Sequence, residues 1–443
     1  MVKLKMKKTN LFRNDPSSPI PEKVIKTKGV YFYLKNGKKI MDLTGGNNSH
    51  AIVGFSHSKV LSALKKQMKK FTHIDYKGWT DENLLKLSEL LCSKANHGLD
   101  KVYFCGNSGA EACEAALRMS YQIRYDAGHK NKKWFISRAQ SYHGATGDAM
   151  SLGERPNLEF FRHTLSPFRS QISMHHPLYL KTKTETLDEY ARRSAKELED
   201  KILEIGAENV CAFVGETIMG GLVGDVPPAP NYWKYIRKIC DKYDVHLILD
   251  EVYCGTGSSG KIYCCDWDKV RPDFIFIGKT LAAGYGALSA VITSSKVESN
   301  IKKFQGRLQH TTTYQGHSLS AAGALAVQKI VHNDKFLLDV QRKGKFMMNY
   351  LKDSLVKHDF YRDVRGRGMR FSFEYDCNNR DNFSLKLGEI MLRKHNIFLS
   401  CKFHRICFTP SLTMTFKEAE FAINKIIKEF NELSRNWNKK KFK

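Results

Sequence analysis

Along the chain, short runs of apolar, β-branched or aromatic residues alternate with longer stretches whose apolar positions recur three and four apart. Six of the short runs read as buried strands: residues 101–105 (KVYFC), 134–137 (WFIS), 210–214 (VCAFV), 245–249 (VHLIL), 274–277 (FIFI) and 288–292 (LSAVI). Helical periodicity fills residues 110–124 and 232–243 between them. Strands that alternate with helices predict an α/β fold with a mainly parallel central sheet and helices on its faces.

Near Leu325 the pattern changes. Two long amphipathic stretches, 327–353 and 416–433, with a few strands between them, predict a second, smaller α+β domain. At the other end, VYFYLKNGKKIMDL reads as a strand pair around an Asn36-Gly37 turn. The division expected is an N-terminal segment, residues 1–60, packing with the small domain; a large domain, 61–325; and a C-terminal small domain, 326–443. A chain of 443 residues is longer than one compact core favours, which agrees with that division.

Composition narrows the function classes. With 42% hydrophobic and 26% charged residues the chain has ordinary globular values, so disorder throughout is excluded. Lys and Arg outnumber Asp and Glu by 72 to 45, yet the excess is spread along the chain, clusters only at MVKLKMKK and NKKKFK, and comes with no nucleic-acid-binding signature. A solvated basic surface, with no nucleic-acid partner, is the reading. The eleven cysteines contain no CxxC pair, and vicinal Cys264-Cys265 suits a disulfide poorly, so a reducing cytoplasmic location is expected. The basic start runs into polar residues instead of an apolar core, and no stretch approaches the roughly 20 apolar residues a membrane span needs.

Three segments carry chemistry. HLILDEVYCGTGSSG (246–260) ends an apolar strand on Asp250 and Glu251, and ligands of open α/β sheets bind at such carboxyl ends. Alone, a strand followed by Asp-Glu equally describes a helix cap or a metal ligand. The next strand ends in Gly278 and Lys279, followed by TLAAGYGALSAV; a surface lysine is the plainer reading, but it leaves the crowd of small residues unexplained. One carboxylate and one amine at the same sheet edge are what a pyridoxal cofactor requires: a lysine for the Schiff base and an acid to keep the ring nitrogen protonated. FCGNSGAEACEAALRMS (104–120) then offers a helix start at Ser108, Gly109 and Ala110 whose amides favour an anion. In YHG (142–144), Tyr142 beside His143 could stack on a cofactor or fill a core.

Taken together, NSGAEACEAALR, SYHGATGDAMSLG, GETIMGG, DEVYCGTGSSG, RPDFIFIGKTLAAGYGALSAV, HTTTYQGHSLSAAGALAVQ and VRGRGM resemble the class III, or omega, aminotransferases of the fold type I pyridoxal-phosphate enzymes, over most of the chain. The resemblance implies a pyridoxal 5'-phosphate enzyme that moves an amino group from an amine or ω-amino acid to a keto acid such as pyruvate. It implies that Lys279 forms the internal aldimine, Asp250 pairs with the pyridinium, Tyr142 and Val252 flank the ring, and His143 and Glu216 stand beside it. Ser108, Gly109 and Ala110 would hold the phosphate, joined by Thr313 of a neighbouring subunit, making a homodimer or a dimer of dimers. Lyases, decarboxylases and aminomutases share this scaffold and are the alternative reading.

The departures bear on substrate. Thr217 replaces the proline of the family's Glu-Pro motif, Gly221 and Cys407 replace a Glu–Arg pair used on ornithine and 4-aminobutyrate, and Tyr253 replaces a glutamine. Donors such as taurine or β-alanine, with pyruvate as acceptor, are expected instead. Arg405 is the candidate to bind a carboxylate or sulfonate, with a plain surface arginine as the alternative, and Asn48 belongs to a stretch that often lines the pocket mouth. No metal site is expected.

Overall fold

The computed structural model describes residues 10–15, 17, 20–95, 98–154 and 156–437. Both terminal basic clusters, and with them part of the expected 1–60 and 326–443 segments, lie outside the described residues.

Seven strands form the central sheet: β1 (Lys101–Phe104), β2 (Trp134–Arg138), β3 (Arg169–Ile172), β4 (Val210–Glu216), β5 (His246–Asp250), β6 (Phe274–Ile277) and β7 (Ala290–Thr293). They lie in the order β1-β7-β6-β5-β4-β2-β3. β3, β2, β4, β5 and β6 pair in parallel, and β7 is antiparallel to both its neighbours. Every residue of β4 is buried, because helices cover both sheet faces and leave no polar side. The six runs identified from sequence all form strands, within two or three residues of the expected ends. β3 was not anticipated: its sequence, RSQI, is polar and mostly half-buried, as an edge position allows.

The stretch 327–353 is two helices, not one. Ser318–Val331 stops, and Asp334–Leu355 begins at an N-cap, Asn333, whose side chain accepts the Phe336 N–H at 3.1 Å. The cap satisfies a donor that the first turn cannot. The four polar residues after Val331, HNDK, mark the break in the apolar spacing and carry the cap.

Two smaller sheets flank this unit. Val24–Lys28, Tyr31–Leu34 and Lys39–Asp42 form an antiparallel set whose last strand pairs in parallel with Ile397–Phe398. Its turn uses Gly37 at φ +85°, a left-handed conformation that glycine adopts without a Cβ clash. Tyr361–Arg367, Arg370–Tyr375, Arg405–Phe408 and Ser400–Lys402 form an antiparallel sheet. Helix Phe416–Trp437 covers it, its Phe430 ring centred 5.1 Å from that of Phe373 and 5.4 Å from those of Tyr375 and Phe383, all edge-on. Among the described residues no helix is long and apolar enough to cross a membrane.

Candidate functional site

The carboxyl ends of β4, β5 and β6 bring the chemistry together. Parallel register sets Glu216 beside Asp250, and Asp250 beside Phe276, three residues before Lys279. Asp250 is buried; its Oδ2 lies 2.8 Å from His143 Nδ1 and its Oδ1 accepts the Val252 N–H at 2.9 Å. As donor to this carboxylate His143 uses Nδ1, and its Nε2 is buried with no protein partner among the described residues. Burial pushes Glu216 up to about 7; His143 and Arg138 act against this rise and Asp250 adds to it.

The second acid of the Asp-Glu pair has a different task. Glu251 is fully buried and accepts the N–H groups of Cys264 at 2.6 Å and Cys265 at 2.8 Å and the Thr217 hydroxyl at 3.1 Å. It fastens the chain after β4 to the 264–265 turn, while Thr217 also donates its own N–H to the Asp250 carbonyl at 3.2 Å. A proline at 217 could make neither bond, which gives the departure from the Glu-Pro motif a physical role.

The anion cradle is narrower than the sequence implied. Ser108 caps helix Gly109–Asp126, but the Glu111 carboxylate takes the N–H of Asn107 at 2.6 Å and approaches that of Ser108 at 3.3 Å. This leaves Gly109 and Ala110, whose amides open the first turn and have no acceptor within the helix. A Cβ on Gly278 would stand 3.2 Å from Gly109 N, and one on Gly109 would stand 2.6 Å from Val252 Cγ2. The helix start, the end of β6 and Val252 are therefore in direct contact, which accounts for the glycine at 278 beside Lys279. A Cβ on Gly144 would meet that of Ala110 at 2.6 Å, so the turn carrying half-buried Tyr142 abuts the same helix start. Lys279 itself sits at φ +32°, a conformation that side-chain-bearing residues adopt at a cost. An amine, a buried carboxylate and unengaged helix-start amides fit a cofactor that has a carbonyl carbon, a ring nitrogen and a phosphate.

The other candidates lie apart. Thr313 is exposed, and its carbonyl faces His73 Nε2 at 3.2 Å; within one copy it bonds to none of the residues above. Asn48 is exposed in a tight turn whose next residue, Ser49, accepts Arg370 Nη2 at 2.7 Å. Arg405 is buried in the C-terminal sheet.

Between these groups stands Tyr253. Lys279 Nζ lies 5.4 Å, and Arg370 Cζ 5.2 Å, from the centre of its ring, and its hydroxyl donates to Asp225 Oδ1 at 2.6 Å. Asp225 also accepts from Ser372 at 2.5 Å. The His50 imidazole occupies a slot between Gly46 and Gly284, where added Cβ atoms would meet it at 2.5 Å. Sequence reasoning gave no role to Arg370 or Asp225. No local motif marks them, and their partners are distant in the chain.

Comparison with known proteins agrees with this geometry. The family described as Aminotransferase class-III matches residues 13–430. An uncharacterized aminotransferase of Schizosaccharomyces pombe is 36% identical over 369 residues, 83% of this chain and 80% of that protein. Gamma aminobutyrate transaminase 2 of Solanum lycopersicum is 30% identical over 91% of this chain and 90% of its own. Among solved structures, the omega transaminase from Pseudomonas jessenii in complex with PMP superposes with a TM-score of 0.88 at 26% identity, covering 94% of this chain and 93% of that one. The fold is thus that of the fold type I transaminases, and the chain belongs to the class III aminotransferases, enzymes that use pyridoxal phosphate to transfer an amino group from an amine donor to a keto acid.

Proposed function

We propose that Lys279 binds the cofactor covalently and that Asp250 keeps its ring nitrogen protonated. The observation that supports this most is the delivery of Asp250 and Lys279 by neighbouring parallel strands to one sheet edge, against a helix start. When bound, pyridoxal phosphate supplies an electron sink that acidifies the donor's carbon. His143 holds the Asp250 carboxylate in place through the 2.8 Å contact of its Nδ1 with Oδ2. Lys279 moves the proton at the donor carbon. Tyr142 and Val252 bracket the ring and Glu216 lines its edge. The Gly109 and Ala110 amides, with the Ser108 hydroxyl, receive the phosphate, together with Thr313 of a second copy.

That last assignment makes the working unit a homodimer or a dimer of dimers. Exposed Tyr314 and Trp79 would be covered in such an assembly. The cysteines among the described residues are all free, which supports the cytoplasm as the location. For the chain's division we retain 1–60, 61–325 and 326–443, the first joined to the last through the strand pair of Met41 with Ile397. As donor we favour an ω-amine carrying an acid, such as taurine or β-alanine, with pyruvate as acceptor; Arg405 would hold the acid and Asn48 would line the entrance.

The experiment is a visible spectrum of the cofactor-loaded protein, followed by amines without keto acid. Wild type should lose its absorption band with productive donors, and Lys279→Ala should have no such band. Identical spectra for the two proteins would refute the proposal.

A further inference from the structure

The turn that carries Lys279 is held in a costly shape. Lys279 stands at φ +32° and Ala283 at φ +52°, conformations that residues with a Cβ keep only where their surroundings impose them. Local bonds supply part of the restraint: the Leu281 N–H donates to the Gly278 carbonyl at 2.7 Å and the Ala283 N–H to the Lys279 carbonyl at 3.1 Å. The next two carbonyls, those of Thr280 and Leu281, face a side chain from far along the chain. Gln328 Nε2 donates to them at 3.3 and 2.8 Å.

Gln328 is out of place in its helix. Ser318–Val331 reads SLSAAGALAVQKIV, and at Gln328 it buries a carboxamide completely on a face otherwise made of small and apolar residues. Burying such a group is unfavourable unless it is hydrogen-bonded. The amide nitrogen has two protons, one for each carbonyl, while Oε1 is buried without a partner among the described residues. Turning the amide over would set Oε1 against two carbonyl oxygens, so the lysine turn fixes which way it points.

The helix is seated to deliver this group. A Cβ on Gly286 would stand 2.7 Å from Ser320 Cα, and one on Gly323 would stand 3.6 Å from Tyr285 Cβ. Ser320, Gly323 and Gln328 thus run back along the segment from 286 to 280 and end beside the lysine. A second brace comes from the loop after β5, where the buried hydroxyls of Thr256 and Thr280 are hydrogen-bonded and Thr280 Oγ1 reaches the Gly255 carbonyl at 3.4 Å. That loop starts at Asp250, so the bond ties the carboxylate's strand to the lysine's turn.

We propose that Gln328 is a positioning residue for the reaction: by holding the Thr280 and Leu281 carbonyls it fixes the backbone of Lys279, and with it the place where the amine meets cofactor and donor. A lysine amine rides on a flexible four-carbon stem, so the point from which the stem starts is what the protein can set. The proposal rests on Lys279 as the reacting amine.

Gln328→Met tests this, since it keeps the length of the side chain and removes both donors. The cofactor-free variant, mixed with pyridoxal phosphate, should develop its visible band about tenfold more slowly than unaltered protein or slower still, and once loaded should show kcat lower by about 10²-fold with the donor KM within about twofold. Unchanged band formation and kcat overturn the proposal, even if Tm falls, because a merely structural glutamine would lower Tm alone. If Gln328→Met does not fold, Gln328→Glu decides: protonated, its carboxyl can give one hydrogen bond, and ionised it faces two carbonyl oxygens. Band formation in that variant should then slow with rising pH relative to unaltered protein, and parallel pH profiles overturn the proposal. If unaltered protein develops no band, Lys279 has failed as the reacting amine, and this role for Gln328 falls with it.

Discussion

At the reacting end of the cleft, Glu216, Asp250 and Lys279 follow directly on apolar strands that are neighbours both in the sheet and in the chain. At the far end, Asp225, Arg370 and Arg405 come from three separate stretches, and each is ordinary in its local sequence. The first end is built by backbone register, which carries side chains to one edge whatever lies elsewhere. The second is built by the docking of the C-terminal sheet against the 220–226 loop, so it depends on packing between distant parts. Chemistry shared by a family can reside in the first, while selectivity is free to vary in the second.

Breaking the reacting end should produce the largest effects. Lys279→Ala is expected to slow transamination by about 10⁴-fold or more, because it removes anchor and base together; steady-state rates check this. Asp250→Asn should cost about 10²- to 10³-fold in kcat, since a neutral amide cannot hold the ring nitrogen's positive charge; a pre-steady-state rate with a good donor is the readout.

Smaller effects sharpen the comparison through stability. Glu216 binds its proton more tightly folded than unfolded, so its contribution falls as pH rises from about 4.5 to about 7 and is level above. In cofactor-free protein, Glu216→Gln should therefore gain on wild type across that window, on the order of 3 kcal/mol by pH 8, and match it near pH 4; urea unfolding at both pH values measures the gap. Gly109→Ala places a methyl 2.6 Å from Val252 Cγ2 and should destabilise by about 1–3 kcal/mol, lowering Tm and weakening retention of the cofactor. An unchanged Tm would mean that the contact between helix start and strand end is looser than described.

The same contrast explains what could be read before the structure. Six central strands, the placement of Asp250 and Lys279 and the helix start at Gly109 were legible because each depends on a few consecutive residues. β3 was not, since an edge strand such as RSQI needs no apolar pattern. The break at Asn333 was legible in the polar run HNDK, whose Asn caps the second helix, but the long amphipathic pattern on either side was read as one stretch. The engagement of the Ser108 amide by Glu111 and the split roles of Asp250 and Glu251 depend on where side chains turn. Arg405 was named from sequence as the candidate for an acid, with a surface arginine as the alternative; its burial in the C-terminal sheet, and the bonds of Asp225 to Tyr253 and Ser372, are tertiary facts.

Borohydride treatment of the cofactor-loaded enzyme, followed by peptide mass spectrometry, tests the central claim most directly. A reduced cofactor adduct on the peptide containing Lys279, and on no other lysine, is the result predicted. An adduct on a different lysine, or none in a protein that holds the cofactor, would contradict it.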